Sequence, residues 1–221
     1  NSQAGRYEIM NVLFCGYRDW SKNIYNALKQ SEDISFCGSS EELSDMAPSD
    51  FDLVFFVGWS EIIGADWINT TECICLHPSM LPEYRGGSPI QNQIIEGEKW
   101  SGVTLFKMNE ELDSGDIIDQ APFSLDGDLI DIFSRIETLG VALIKKTLTC
   151  GEIKYSPQDH SKASFFKRRT PRMSEIKVDD FKNFTAEELH NKIRSLQDPY
   201  PNAFISCKHS TKLFLQKSRI K

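Results

Sequence analysis

The chain has 221 residues, which is enough for one large domain or for a domain with a small appendage. Its 40% hydrophobic and 26% charged content is typical of a globular protein with a buried core. The net charge of −7 argues against a large nucleic-acid interface, which needs a basic surface, and no apolar run reaches the roughly 20 residues that cross a bilayer. We therefore expect no nucleic-acid partner and no membrane partner.

Short apolar runs alternate with amphipathic segments through the first 150 residues. Strands are predicted at 9–15, 33–38, 52–58, 72–76, 102–108 and 116–125, and helices at 20–30, from residue 88 onward and at 128–148. This alternation predicts an α/β fold with a doubly wound, Rossmann-like, mostly parallel sheet. The first predicted strand is followed by GYRDW and not by G-x-G-x-x-G, so a dinucleotide site is not expected.

The composition and the hydrophobic periodicity of the sequence change after residue 150. Residues 154–176 are basic and broken by prolines, residues 185–196 predict a helix with a capping box in Thr185 and Glu188, and the last part alternates like a hairpin. We predict a catalytic domain over 10–150 and a small C-terminal α+β subdomain, a helix plus a hairpin, over 151–221. Residues 1–9 are left out of the fold prediction.

The six cysteines include no C-x-x-C pair, and no signal peptide is visible. Small buried thiols of a reduced protein are therefore favoured over disulfides. We expect a cytoplasmic protein without a bound metal.

Two residues follow predicted strands in positions that suit chemistry. His77 comes just after the strand at 72–76, and Asp113 lies in the turn after the strand at 102–108. Ligands gather at the carboxyl ends of strands in an open α/β sheet, so both side chains are expected to face one crevice. A neutral imidazole beside a carboxylate is a general base. A lone histidine next to a proline is more often structural, so the residues alone leave both interpretations open.

Two longer motifs favour the catalytic interpretation. HPSMLPEYRGGSPIQ followed by GVTLFKMNEELDSGDII resembles the formyltransferases that use N10-formyltetrahydrofolate, and FVGWSEII and IRSLQDPYPNAF resemble them more weakly. The FVGWS and YPNAF segments look most like the enzymes that formylate amino sugars attached to a nucleotide. The methionyl-tRNA branch, with its longer C-terminal domain, is not expected, because about 70 residues follow Gly151 and the chain is acidic.

The resemblance implies an enzyme that transfers a formyl group from N10-formyltetrahydrofolate to the amine of a dTDP- or UDP-linked amino-dideoxy sugar, for surface glycans. His77 would move protons and Asp113 would orient it. Cys75 stands where the family has an asparagine, whose amide is thought to hold the formyl oxygen, and a thiol is a weak donor. Gln91 and Asn92 are alternative donors, although Gln91 is also the expected capping-box partner of Ser88.

The resemblance also implies a binding site for each substrate. The folate is expected to contact Phe56, Trp59, Ile63, Leu112, Ser114, Gly115 and Asp116. The nucleotide sugar is expected to contact Tyr84, Arg85, Gly86 and Tyr200. For Phe56 and Arg85 a purely structural role is as well supported, and the basic stretch at 164–172 is more simply a solvated face than a diphosphate contact.

Three further expectations follow from the same comparison. Relatives are often dimers, so a homodimer is expected. One alternative function is the formylation of another small amine. The other alternative is a non-catalytic protein that binds folate or a nucleotide sugar, and it rests on Cys75 alone.

Overall fold

The computed structural model describes residues 10–221, so residues 1–9 lie outside the described part. Its strands are β1 (Val12–Cys15), β2 (Ile34–Cys37), β3 (Leu53–Val57), β4 (Glu72–His77), β5 (Arg85–Gly86), β6 (Trp100–Lys107), β7 (Ile117–Ser124), β8 (Phe165–Phe166), β9 (Ala203–Ser206) and β10 (Lys212–Leu215). Its α-helices are α1 (Asp19–Leu28), α2 (Ser40–Ser44), α3 (Ala65–Thr70), α4 (Pro89–Ile95), α5 (Leu129–Thr149), α6 (Asp180–Asn183) and α7 (Ala186–Arg194).

The centre of the molecule is a six-stranded sheet in the order β2-β1-β3-β4-β6-β7. The pairings among β1, β2, β3 and β4 are parallel. All residues of β1 and β3 are buried, because helices cover both faces, and this explains their continuous apolar sequences. One face packs against α1 and α5 through Ile24, Leu28 and Ile136, and the other packs against Trp67 of α3. The predicted α/β Rossmann-like sheet is confirmed.

The direction of β6 differs from the simplest expectation. β6 runs antiparallel to β4, with Ile74 opposite Lys107 and His77 opposite Thr104. The carboxyl end of β6 therefore lies beside the start of β4, at the opposite edge of the sheet from His77. The segment that follows β6 must cross the length of β4 to reach the histidine.

Residues 151–221 contain the predicted helix and hairpin. The capping box of Thr185 and Glu188 begins α7, and β9 and β10 pair antiparallel. A small core around Ile193 packs inside this region, and Arg194 donates a 2.7 Å hydrogen bond to the Leu125 carbonyl of the larger part. Within residues 10–221 no helix combines the length and the apolar character needed to span a membrane.

Candidate active site

A cavity of about 770 Å³ opens beyond the carboxyl ends of β1, β3 and β4. Its walls come from residues 18–20 after β1, residues 58–63 after β3, the start of α4, the loop at 108–113 and residues 166–169. This is the edge at which ligands bind in open α/β sheets. His77, the last residue of β4, and Asp113 both line the cavity.

The hydrogen bond of His77 to the Tyr84 carbonyl defines its tautomer. His77 is only 5% exposed, and its Nε2 lies 2.9 Å from the carbonyl oxygen of Tyr84. A carbonyl only accepts, so Nε2 carries the hydrogen and the neutral ring keeps its lone pair on Nδ1. Nδ1 lies 3.6 Å from Oδ2 of Asp113. The ring is therefore held as a base whose protonated form would face a carboxylate.

The loop after β6 carries Asp113 across the sheet to the histidine. The loop begins with a 2.7 Å hydrogen bond from the Met108 backbone N–H to the Cys73 carbonyl, at the start of β4. Asp113 has a φ of 49°, and its Oδ2 accepts a 2.7 Å hydrogen bond from the Gly86 N–H. Gly115 lets the loop return to β6, because a Cβ there would collide with the Lys107 carbonyl. The predicted convergence of the two side chains is therefore present, but it depends on this loop and not on parallel strands.

Cys75 projects into the same cavity as His77, because residues two apart in a strand point to one face. Burial raises the pKa of the Cys75 thiol well above its ordinary value, and the charge of Asp113 raises it further. The thiol is therefore neutral at neutral pH. A neutral thiol is a weak hydrogen-bond donor to a developing oxyanion.

The two alternative amide donors differ in their surroundings. Asn92 is already engaged, because its Nδ2 donates to the Gly87 carbonyl at 2.9 Å. Gln91 is 4% exposed, lines the cavity, and its Nε2 is buried without a hydrogen-bond partner. The expected capping box of Ser88 and Gln91 is wrong, because Ser88 has a φ of 54° and its hydroxyl accepts from the Arg169 N–H instead. Gln91 is therefore not held in a cap, and its side chain lines the cavity near Tyr200.

The residues expected to bind folate divide into two groups. Phe56, Trp59, Ile63 and Leu112 line the cavity. Ser114, Gly115 and Asp116 do not: the Ser114 hydroxyl donates to Asn109 Oδ1 at 2.9 Å, and the Gly115 carbonyl accepts from Gln158 at 2.6 Å. These backbone and side-chain groups shape the loop that holds Asp113.

The residues expected to bind the nucleotide sugar divide in the same way. Gly86 and Tyr200 line the cavity. The Tyr84 side chain is buried elsewhere, where its hydroxyl donates to Glu96 at 2.8 Å. The Arg85 guanidinium is buried behind the wall and donates to Gln158, so it is not positioned to contact a diphosphate in the cavity. The close backbone approach allowed by Gly86 is to Phe166 of β8, with which β5 pairs.

Two arginines that the sequence did not single out as ligands meet at the cavity. Arg18 donates from Nη2 to the Ser60 hydroxyl at 2.9 Å, and Arg168 approaches the Ser60 carbonyl at 3.5 Å. Both line the cavity, and neither has a carboxylate within 4.0 Å among residues 10–221. Arg168 belongs to the basic stretch at 164–172. Part of that stretch lines the cavity, so its positive charge was the feature of the sequence that could have indicated an anion-binding role.

A doubly wound sheet with a buried imidazole and a half-buried carboxylate in a cavity at its carboxyl edge is the kind of site in which general acid–base catalysis is expected. Residues 35–139 match the formyl transferase family. The chain therefore carries a formyl transferase domain, and the family predicted from the motifs is confirmed. Among residues 10–221, no three or more His, Cys, Asp or Glu side chains form a group that could hold a metal ion.

Known proteins resemble the chain in sequence and in structure. It is 31% identical over 173 residues to a methionyl-tRNA formyltransferase from Lactobacillus acidophilus, covering 75% of this chain and 54% of that protein. The chain thus spans about half the length of the curated relatives it matches. A methionyl-tRNA formyltransferase structure from Clostridium thermocellum aligns with a TM-score of 0.82 and 26% identity over 96% of this chain and 94% of that one.

Two other structures share the fold at lower identity. A 4-N formyltransferase from Francisella tularensis aligns with a TM-score of 0.75 and 21% identity, over 96% of this chain and 100% of that chain. HypX from Aquifex aeolicus, in complex with tetrahydrofolic acid, aligns with a TM-score of 0.75 and 20% identity, over 90% of this chain and 36% of that chain. At these identities the likeness concerns the fold.

Proposed function

We propose that the protein transfers a formyl group from N10-formyltetrahydrofolate to the primary amine of an amino-dideoxy sugar linked to dTDP or UDP, for the synthesis of surface glycans. The observation that carries this proposal is the convergence of His77 and Asp113 in a cavity that also holds two arginines without carboxylate partners. His77 and Asp113 would transfer protons during the reaction, and the two arginines suit an acceptor with negative charge.

In the proposed reaction the neutral amine attacks the formyl carbon. A bond forms between the amine nitrogen and this carbon, and the bond between the carbon and N10 of the folate breaks. His77 Nδ1 takes a proton from the amine, and this proton is returned to the departing N10. Asp113 stabilises the imidazolium that exists between the two transfers, as its distance of 3.6 Å from Nδ1 allows.

The formyl oxygen becomes negatively charged when the amine adds. We assign its stabilisation to the Gln91 side chain, which lines the cavity and is not held in a capping box, and only weakly to the neutral thiol of Cys75. Loss of one good oxyanion donor reduces rates by about 10²–10³. An amide at position 75 in place of the thiol is therefore expected to speed the reaction.

The apolar wall of the cavity suits the folate. Phe56 and Ile63 are buried beneath it, Trp59 packs edge-on to Phe56 with ring centroids 5.8 Å apart, and the Leu112 side chain stands at the rim, 61% exposed. A flat heteroaromatic ring gains free energy by burial against such a wall. The tetrahydrofolic acid bound to HypX supports this donor for the same fold.

The part of the cavity around Ser60 suits an acceptor that carries negative oxygens. Arg18 and Arg168 bring two positive charges there. Tyr200 also lines the cavity and stacks on Phe133, with ring centroids 5.9 Å apart. Guanidinium groups bind phosphate oxygens strongly, so the diphosphate of a nucleotide sugar matches this part of the cavity. The name of the Francisella tularensis neighbour supports an amino group as the acceptor.

A second candidate acceptor is the amine of an aminoacyl-tRNA. It is favoured by the names of the curated relatives, which are methionyl-tRNA formyltransferases. The net charge of −7 disfavours it, because tRNA binding needs an extended positive surface.

One assay tests both candidates. The protein is mixed with N10-formyltetrahydrofolate and with dTDP-amino sugars, UDP-amino sugars or methionyl-tRNA, while folate release is followed by absorbance and product by mass. Turnover with an amino sugar, lost in His77→Ala, is the expected result. Turnover with methionyl-tRNA but with no amino sugar would refute the amino-sugar proposal and support the aminoacyl-tRNA as the acceptor. Binding of folate and nucleotide sugar without any turnover would establish a binding protein instead.

A further inference from the structure

We propose that Gln158 is a positioning residue that holds Asp113 in the conformation needed beside His77, and that Arg85 sets the direction of the Gln158 amide. The kinetic part of this inference rests on the proposed function. The structural part concerns the protein alone, so the two can fail separately.

The contacts of Gln158 join two distant parts of the chain. Gln158 is 5% exposed, and its Nε2 donates to the carbonyls of Asp113 at 3.0 Å and Gly115 at 2.6 Å. Its Oε1 accepts from Nε of Arg85 at 3.2 Å and from Nη2 at 2.6 Å. A guanidinium only donates, so the amide oxygen must face Arg85 and the NH₂ group must face the two carbonyls. The orientation of this amide is therefore determined by its neighbours.

Asp113 needs such support because of its backbone. Its φ of 49° lies in the left-handed region, which costs a non-glycine residue free energy unless the surroundings hold it. The preceding residues 109–112 are exposed, so they offer little packing. The two hydrogen bonds from buried Gln158 bracket Ser114 and fix the carbonyls on both sides of it. The loop is thereby held where the Asp113 carboxylate reaches both Gly86 and His77.

Three consecutive residues of the motif, Tyr84, Arg85 and Gly86, converge on the same pair. The Tyr84 carbonyl accepts from His77, the Gly86 N–H donates to Asp113, and Arg85 acts on Asp113 through Gln158. The buried Arg85 guanidinium has no carboxylate partner within 4.0 Å among residues 10–221, so its two hydrogen bonds to Gln158 matter for its own burial as well. This places Arg85 in a positioning role and not in a diphosphate site.

A double-mutant cycle tests whether Gln158 acts through Asp113. Gln158→Ala is expected to reduce kcat by about 10²-fold, the loss typical of a small misplacement of a catalytic group, with the KM for the folate nearly unchanged. In the Asp113→Asn background the same substitution should change kcat by less than about 2-fold, because residues acting as a unit are not additive. Equal losses in both backgrounds would overturn the proposal.

Two further variants separate positioning from folding. Gln158→Glu keeps a partner for Arg85, but its second oxygen cannot donate and repels the two carbonyls, so it should lose kcat at least as far as Gln158→Ala. Gln197 is a matched control, because its amide links the start of α5 to the C-terminal hairpin by bonds of 2.9 and 3.3 Å, far along the chain from Asp113. Gln197→Ala should lower the melting temperature without changing kcat. A kcat loss in Gln197→Ala as large as in Gln158→Ala would show a merely structural effect.

A spectroscopic measurement on the protein alone separates this proposal from the proposed function. The Gly86 amide proton, bonded to the Asp113 carboxylate, should resonate downfield and exchange slowly in the natural protein. Both Gln158 variants should move it upfield and speed its exchange, and Gln197→Ala should not. That result without turnover on any acceptor would refute the proposed function and leave Gln158 as a positioning residue. An unchanged Gly86 signal in both Gln158 variants would overturn the positioning role.

Discussion

Replacement of Asp113 by Asn tests how much the carboxylate contributes to proton transfer at His77. Asparagine has nearly the same shape, and its amide oxygen can still accept from the Gly86 N–H. The substitution therefore removes mainly the negative charge that lies 3.6 Å from Nδ1. The effect on the rate then reports the stabilisation of the imidazolium form.

The size of the effect follows from the distance. Coulomb's law gives about 4.6 kcal/mol for two unit charges at 3.6 Å with an effective dielectric constant of about 20, and about 1.2 kcal/mol with that of water. These values correspond to rate losses of about 2,000-fold and about 7-fold. The side chains of His77 and Asp113 are 7% and 14% exposed, so water screens the pair poorly. We expect a loss of about 10²–10³-fold in kcat.

The measurement is steady-state turnover of folate and amino sugar by Asp113→Asn, together with its melting temperature. Asp119→Asn is a matched control, because it removes a carboxylate that pairs with the exposed Lys146 at 2.6 Å. The control should keep the natural kcat. A well-folded Asp113→Asn protein that loses less than about 3-fold would refute the assignment of this carboxylate.

Three more predictions concern the rest of the cavity. Cys75→Asn should raise kcat, measured by folate release, by up to about 10²-fold, because an amide donates a stronger hydrogen bond than a neutral thiol. An unchanged or lower kcat would show that Gln91 already stabilises the oxyanion without help from position 75. Iodoacetamide at pH 8 should modify the exposed Cys150 and Cys207 but not Cys75, as read by mass spectrometry, because the raised pKa of the Cys75 thiol keeps it protonated; rapid modification would contradict that. Arg18→Met should raise the KM of a nucleotide sugar by about 10-fold or more, through loss of a charge-assisted hydrogen bond, while the KM of the folate stays the same; equal changes in both would place Arg18 outside the part of the cavity that binds the acceptor.

Much of the sheet could be predicted from the sequence because buried strands leave continuous apolar runs. Each predicted strand of the central sheet is present, from β1 at 12–15 to β7 at 117–124. The direction of β6 could not be predicted in this way, because GVTLFKM has the same apolar pattern in either direction. The rule for parallel strands predicts His77 and Asp113 in one crevice, but it is a loop crossing β4 that brings them together.

The residues that were wrongly expected to face the cavity share one property. Ser114 and Arg85 carry polar groups that could bind a ligand, but each forms hydrogen bonds with another side chain of the protein. The partner of Arg85 is Gln158, 73 residues further along the chain, and no local pattern reveals such a contact. The sequence gives no signal for Arg18, because only the fold brings Arg18 and Arg168 to the same residue, Ser60.

The contacts that His77 and Asp113 make with residues 84 and 86 are made by the main chain, and this shapes how the site responds to genetic change. Gly86 itself cannot take a side chain, because a Cβ there would collide with the Phe166 carbonyl, but replacing other side chains in this stretch leaves the Tyr84 carbonyl and the Gly86 amide in place where the backbone is unchanged. Removing or inserting a single residue between positions 77 and 86 would shift both groups at once. We therefore expect more variants to retain activity in a library of point substitutions over residues 77–86 than in a library of one-residue deletions.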